Sequence, residues 1–292
     1  MKLIIQGNTA VFGSVSAVIA VFCFSTNDVA IKFISNDYAL HLVVLIRSLV
    51  GLTVLFLFII PFSGGLPTLR TNRLGLHLLR GFCVVFANIT FFLGLAALPL
   101  AEGVAIFFIS PLLITVFSVL FLKETVGPRR WAAVVIGLIG VIVILRPGSA
   151  SFQTASLLPL LAAFGYATLH MLTRYIGKTE SAASMSFYIQ VTFLIICLAF
   201  GLIIGDGKFS GGGDPSLEFL FRAWSWPSSN HYLILVLIGA SSAFGGFFIS
   251  QAYRISEAAV VAPFEYIALP IAIFWGVVIF GDWPDKTTFA GI

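Results

Sequence analysis

Residues 98–122 read LPLAEGVAIFFISPLLITVFSVLFL, and this run determines the class of fold. Glu102 is its only charged residue, and it lies near one end of the run. An α-helix needs about 20 mostly apolar residues to cross the hydrocarbon core of a bilayer. The run therefore predicts a transmembrane helix near residues 101–122.

The remainder of the chain has the same character. Its 292 residues include 59% hydrophobic and only 10% charged side chains, and the mean hydropathy is +1.07. Soluble domains contain about a quarter charged residues. We therefore predict an all-α polytopic membrane protein. Its N-terminus runs into an apolar segment without a small-residue cleavage site, so we interpret that segment as a retained span and not as a signal peptide.

Ten apolar segments are separated mostly by short connections, so neighbouring helices should be antiparallel. The tenth segment begins near residue 285 and reaches only Ile292, so we expect a truncated tenth helix. The long connection 206–231 contains Trp224 and Trp226, and tryptophan favours the membrane surface. The nine complete spans are expected near 11–34, 40–62, 76–98, 101–122, 129–147, 154–176, 183–205, 232–254 and 258–280.

The Lys and Arg residues predict the orientation in a cell inner membrane. With the N-terminus in the cytoplasm, ten of the 16, Arg80 included, lie at cytoplasmic ends of spans. Five lie at the opposite ends, and Arg47 lies within a span. Because cytoplasmic loops are enriched in Lys and Arg, a cytoplasmic N-terminus is favoured.

The two halves of the chain align with each other. At an offset of 142 residues, Phe22 aligns with Phe164, Asp28 with His170 and Lys32 with Arg174, and at 143 Arg47 aligns with Gln190. Five helices separate the repeats, so the second unit enters the membrane from the opposite face. Inverted repeats of this kind are typical of secondary transporters. We predict five-helix repeats at 1–147 and 148–292; accidental similarity of apolar sequences is the alternative.

Several segments, taken in order, resemble the drug/metabolite transporter superfamily, EamA type, over essentially the whole chain. They are STNDVAIKF (25–33), HLLRGF (77–82), LPLAEGVAIFFISPLL (98–113), FLKETVGPRRWAAVVIGLIGV (121–141), APFEYIAL (262–269) and FGDWPDKTTFAGI (280–292). The resemblance implies ten helices in two inverted five-helix halves around a cavity that opens alternately to each side. Within the superfamily, the Asn27-Asp28 pair, Arg80 and the run 263–266 are most similar to S-adenosylmethionine-type uptake carriers.

Charged residues inside spans are costly to insert, which marks them as functional candidates. Asp28 and Lys32 share a helix face, and Arg47 lies at a comparable depth in the second span. Arg47 is a candidate for a substrate carboxylate, and Asp28 for an ammonium group or a transported proton. A buried ion network of these three residues is the structural alternative, and Lys32 can also extend to the interface.

Glu265 and His170 are the other ionisable candidates. Glu265 follows Pro263, which should loosen the helix and free carbonyl groups to line a cavity. Asp28, His170 and Glu265 are therefore candidates for coupling as well as for substrate binding, and His170 can gain a proton near neutral pH. Structural pairing of Glu265 with an Arg or His, and packing of His170, are the alternatives. Neutral candidates for hydrogen bonding to a substrate, or between helices, are Asn88, Tyr166, Gln190 and Tyr266.

Other classes of function are disfavoured. There is no basic stripe for nucleic acid, no clustered spacing of Cys23, Cys83 and Cys197 for a disulfide or a metal, and no phosphate-binding loop for ATP. We therefore expect a secondary transporter without cofactor or catalytic residues, for an S-adenosylmethionine- or amino-acid-like metabolite. Transport of flavins or drugs is the alternative, and a membrane enzyme or channel the rival. Gly137 and Gly140, with Ala133, suit close helix packing within the chain or in a homodimer.

Overall fold

The structure is a computed structural model that describes residues 2–145 and 153–292, with side chains from residue 11 onward except those of residues 130, 133 and 259. All regular structure in these ranges is helical, which confirms the predicted fold class. Within the described ranges, eight helical segments are long and apolar enough to cross a membrane. The helices are α1 (Lys2–Phe33), α2 (Leu40–Phe62), α3 (Leu74–Ala97), α4a (Leu100–Phe107), α4b (Ile109–Leu122), α5 (Pro128–Leu145), α6 (Leu157–Ile176), α7 (Ala182–Ile204), α8 (Tyr232–Ile255), α9a (Ala258–Glu265), α9b (Ala268–Trp275) and α10 (Lys286–Gly291).

The fourth and ninth spans are interrupted, although the sequence predicted each as one helix. The fourth breaks at Phe108, between α4a and α4b, and the ninth breaks at Tyr266–Ile267. Each break lies three or four residues before a proline, Pro111 or Pro270. Proline lacks an N–H group and clashes with the carbonyl four residues earlier, so the helix ends there. Pro263, where the sequence predicted loosening, lies inside α9a, and the break in the ninth span comes three residues after it.

The contacts between helices have a two-fold pattern, in which each of helices 1–5 corresponds to the helix five places further along the chain. A contact between two helices therefore has a counterpart between the two corresponding helices. Helix α1 packs along α8, and α3 packs along α6. Helix α2 packs against α7, α4b against α9a, and α5 against α10. The predicted boundary between residues 147 and 148 lies outside the described residues.

Small residues allow several of these close approaches. A Cβ atom at Gly165 of α6 would lie 3.0 Å from the carbonyl oxygen of Cys83 in α3. Gly137 packs against Leu112, and Gly140 against the backbone of Gly291, so both are used within the chain. The side chain of Ala133, the third member of that predicted stripe, lies outside the described residues.

The long connection after α7 is held against the bundle. It contains a short helix, Pro215–Phe221, whose Ser216 hydroxyl donates to the Leu93 carbonyl oxygen at 2.7 Å. Arg222 donates to the carbonyl oxygens of Ser35 and Tyr38, at 2.7 and 3.2 Å. These bonds satisfy carbonyl groups near the ends of α1 and α3, so the segment covers this face of the bundle instead of merely connecting two helices.

The close α3–α6 contact predicts the effect of enlarging Gly165. We expect Gly165→Leu to destabilise the protein by about 1–3 kcal/mol, because the added side chain would press on the α3 backbone. Thermal unfolding of the purified protein measures this. Gly75→Leu is the matched control, since a Cβ atom there would meet nothing within 4 Å. An equal effect of both changes would contradict the packing argument.

Candidate functional site

A central cavity lies between α1, α2, α3, α4a, α6, α7 and α8. The empty space between its walls, the open mouth included, is about 930 Å³. Much of the wall is aromatic or aliphatic. Its polar and charged lining residues are Asn27, Asp28, Arg47, Arg80, Asn88, Tyr166, His170, Thr173, Ser186, Gln190, Ser242 and Ser250.

Arg47 is the most unusual of these residues. Its side chain is only 2% exposed, and its guanidinium lies 4.5 Å from the centre of the Phe193 ring. Among the described residues, its Nε and Nη2 atoms have no hydrogen-bond partner. A buried donor without a partner costs roughly 1–3 kcal/mol, and more when it is charged. The two nitrogens are therefore suited to bind an acceptor group of a ligand.

Asp28 and Lys32 do not form the predicted three-residue ion network with Arg47. The Lys32 ammonium donates instead to the carbonyl oxygens of Leu95 and Leu98, at 2.8 and 2.7 Å. Asp28 accepts a hydrogen bond from the Asn27 amide at 3.3 Å. Within the described residues, no ion pair joins Asp28 to Arg47. The carboxylate therefore lines the cavity without neutralising the guanidinium directly.

Several neutral polar groups line the same cavity as Arg47. Gln190 donates to the Ser242 hydroxyl at 3.3 Å, while its Oε1 atom has no partner among the described residues. The same is true of the Asn88 Oδ1 and Ser186 Oγ atoms. Polar groups buried in a membrane protein are normally paired. Several unpaired groups around one cavity therefore make it the candidate binding site.

His170 lines the cavity between two tyrosines. Its ring centre lies 4.2 Å from that of Tyr166 and 4.1 Å from that of Tyr253. Neither ring nitrogen has a hydrogen-bond partner among the described residues. His170 thus combines packing, the predicted alternative, with two polar atoms that are free to contact a ligand.

Glu265 lies in a smaller chamber beside the cavity, the side chamber, which also includes Asp28 and Tyr166. Its carboxylate accepts hydrogen bonds from the Tyr166 hydroxyl, at 2.9 Å, and from the Tyr253 hydroxyl. The predicted alternative, pairing with an Arg or His, is wrong because tyrosines provide both partners. Tyr266, the last predicted site residue, stacks on Phe108 with ring centres 5.3 Å apart and is not among the residues that line either space.

The sequence prediction misplaced Arg80. It was assigned to a cytoplasmic helix end, yet it is 1% exposed and lines the cavity. Its Nε atom donates to the Thr173 hydroxyl at 3.0 Å, and its Nη1 atom donates to the Met185 carbonyl oxygen at 3.5 Å. The sequence contained an indication that Arg80 faces the cavity. Arg80 and Asn88 are eight residues apart in α3, so they share a helix face.

A buried carboxylate outside the cavity was not predicted either. Glu180, just before α7, accepts from the Thr71 hydroxyl at 2.9 Å. Its other carboxylate oxygen lies 3.2 Å from His77 Nε2 and 3.4 Å from the Ser184 hydroxyl. These contacts join the start of α3 to the start of α7. The Glu180 carboxylate therefore has a structural role.

The chain resembles known proteins in both sequence and fold. The EamA-like transporter family matches residues 11–146. An S-adenosylmethionine uptake transporter of Rickettsia conorii is 29% identical over 267 residues, 91% of this chain and 84% of the relative. A riboflavin transporter of Vibrio cholerae is 31% identical over 226 residues, 77% of this chain and 70% of the relative. A protein of known crystal structure, only 16% identical, shares the fold with a TM-score of 0.72 over 98% of this chain and 93% of its own.

The hydrogen bond between Arg80 and Thr173 predicts the effect of removing the hydroxyl. We expect Thr173→Val to destabilise the protein by about 1–3 kcal/mol, because it leaves a buried guanidinium N–H unpaired. Thr168→Val is the matched control in the same helix, since that hydroxyl donates only to the Phe164 carbonyl of its own helix. Thermal unfolding checks the pair, and equal stability of the two variants would rule out a structural role for this bond.

Proposed function

Because the chain belongs to the EamA-like transporter family and is a multi-pass transporter of small metabolites, we propose that it transports a zwitterionic, amino-acid-like metabolite with a planar ring. S-adenosylmethionine is the representative of this class that we would test first. The observation that supports the proposal is the pair of opposite charges, Arg47 and Asp28, that line one cavity without an ion pair between them.

The charges match the two ends of an amino acid. The free Nε and Nη2 atoms of Arg47 are two adjacent donors, a geometry that suits a carboxylate. The Asp28 carboxylate suits an ammonium group. Asn88, Gln190 and His170 provide further free polar atoms for hydrogen bonds to the substrate. Arg80 adds a second positive charge but has two protein partners, so we assign it to positioning α6 and α7.

The apolar part of the wall suits the planar part of such a substrate. Phe24, Phe91, Phe107, Tyr166 and Phe193 all line the cavity. Aromatic rings stack on planar ligands at centre separations of about 4.5–7 Å. An adenine ring could therefore bind among these side chains while its amino-acid part reaches the charged residues.

Alternating access between two inverted halves, residues 1–147 and 148–292, is the transport mechanism that we propose. The symmetric helix pairing supports it, as do the breaks at equivalent places in the fourth and ninth spans. Interrupted helices at the repeat interface are where secondary transporters build their binding sites. Phe107 ends α4a and Glu265 ends α9a, so rocking of the halves would move both relative to the substrate.

We also propose that the N-terminus is cytoplasmic and that the chain lies in an inner membrane. Because Arg80 is buried, the ten cationic residues assigned to the cytoplasmic ends become nine, against five at the opposite ends. The asymmetry still favours this orientation.

A riboflavin-like flavin is the second candidate substrate. The aromatic wall favours it, and so does the relative named as a riboflavin transporter. Riboflavin has no carboxylate or ammonium group, so it would leave Arg47 and Asp28 without ionic partners. This difference separates the two candidates by experiment.

Ligand-induced stabilisation of the purified protein tests the proposal. A ligand at 100 times its Kd stabilises the folded state by about 2.7 kcal/mol. We expect S-adenosylmethionine to raise the melting temperature, and Arg47→Met to weaken its affinity roughly tenfold to a hundredfold, since a charge-assisted hydrogen bond contributes about 1.5–3 kcal/mol. Arg174→Met is the control, because Arg174 pairs with Glu124 outside the cavity, at 3.4 Å.

Three other results would contradict this assignment. Stabilisation by riboflavin that survives Arg47→Met would support the flavin alternative. A large loss of stability in Arg47→Met without ligand, rescued by adding Asp28→Asn, would show that the two charges form a structural pair. Flux that does not saturate in proteoliposomes would support a channel instead of a carrier.

A further inference from the structure

The side chamber contains two carboxylates, Asp28 and Glu265, in mostly apolar surroundings. It shares Asp28 and Tyr166 with the central cavity, so the two spaces are adjacent. Glu265 lines only the side chamber. It is therefore an ionisable group next to the proposed substrate site but not among the residues that surround that site.

Two features of the surroundings of Glu265 have opposite effects on its charge: burial favours the neutral form, and hydrogen bonds favour the ionised form. Its carboxylate is 5% exposed, and no Lys, Arg or His nitrogen pairs with it in the part of the chain that the structure describes. Burying a carboxylate without a counter-charge is costly, which favours a bound proton. The two hydroxyl donors, on Tyr166 and Tyr253, stabilise the ionised form instead. A group with this balance can gain and lose a proton during a transport cycle.

Besides the adjacent Tyr266, the titratable groups near Glu265 come from three neighbouring helices. Helix α1 provides Asp28, α6 provides Tyr166 and His170, and α8 provides Tyr253. The packed face of α4b contains no titratable side chain. None of these groups is a fixed positive charge, so Glu265 is free to change its charge without breaking an ion pair.

Tyr166 connects Glu265 to the substrate site. Its hydroxyl donates to Glu265, while its side chain lines both spaces. When a proton from water adds to a Glu265 oxygen, that oxygen becomes a donor and the carboxyl group loses its negative charge. The hydrogen bond from Tyr166 then weakens, and the Tyr166 hydroxyl can bind a substrate atom in the central cavity.

We propose that Glu265 is the proton-binding site of this transporter and that proton binding there promotes substrate binding through Tyr166, which makes the transport proton-coupled symport. One proton would enter with each substrate molecule and leave from Glu265 on the other side of the membrane. The coupling rests on the transport function proposed above, whereas proton binding by Glu265 does not.

Infrared spectroscopy of the full-length protein in lipid nanodiscs tests proton binding without any substrate. The carbonyl stretch of a protonated carboxyl group should titrate across a pH series from about 5 to 9, a range that buried carboxyl groups reach. We expect Glu265→Gln to remove that titrating band. Glu180→Gln is the matched control, because Glu180 is equally buried but paired with His77 away from the cavity. A band that persists in Glu265→Gln would overturn the proposal.

Proteoliposomes loaded with a pH-sensitive dye test the coupling, with S-adenosylmethionine as the probe. We expect an inward proton gradient to drive its accumulation in the wild type and in Glu180→Gln, and this accumulation to be lost in Glu265→Gln. Tyr166→Phe should keep the titrating infrared band but lose proton uptake on substrate addition. Gradient-driven accumulation by Glu265→Gln would overturn the coupling. Absence of S-adenosylmethionine transport with a Glu265-dependent band would instead contradict only the proposed substrate.

Discussion

Every polar group inside this bundle must find a partner in the protein or face a cavity, because the hydrocarbon core of a membrane provides none. This constraint divides the buried polar residues into two sets. Lys32, Arg80 and Glu180 are bound by carbonyl, hydroxyl or imidazole groups of neighbouring helices. Arg47 and His170 retain free nitrogens and face the central cavity. The first set fixes helices in place, and the second set is available to a ligand.

The breaks in the fourth and ninth spans are set by two prolines. Pro111 and Pro270 cannot donate to the preceding turn, so α4a ends at Phe107 and α9a ends at Glu265. Both terminal residues lie at the side chamber. A local property of proline therefore places an aromatic ring and a carboxylate next to the central cavity, at the ends of two short helical segments.

The aromatic residues around His170 have a different part in the site. Tyr166 and Tyr253 pack on the imidazole and donate to Glu265, so one group of side chains joins the cavity to the side chamber. Packing of this kind restricts the imidazole, because Tyr253 lies at a tilt of 31° to its ring and Tyr166 contacts it edge-on at 70°. Tyr166 is the direct link between the two spaces, because it lines both and its hydroxyl donates to Glu265.

The sequence alone determined the fold class and nearly all helix positions, and six of the eight residues predicted for the site line the central cavity. Apolar runs of about 20 residues can satisfy their backbone in a membrane only as helices, so length and composition suffice for that prediction. Isolated charges inside such runs, Arg47 above all, are equally visible in the sequence. What the sequence could not determine was which partner each polar group finds. Lys32 binds two carbonyl groups more than 60 residues away, Arg80 binds a threonine on another helix, and Glu265 binds two tyrosines. Such choices depend on how helices distant in sequence pack and rotate against each other, and only the tertiary structure decides them.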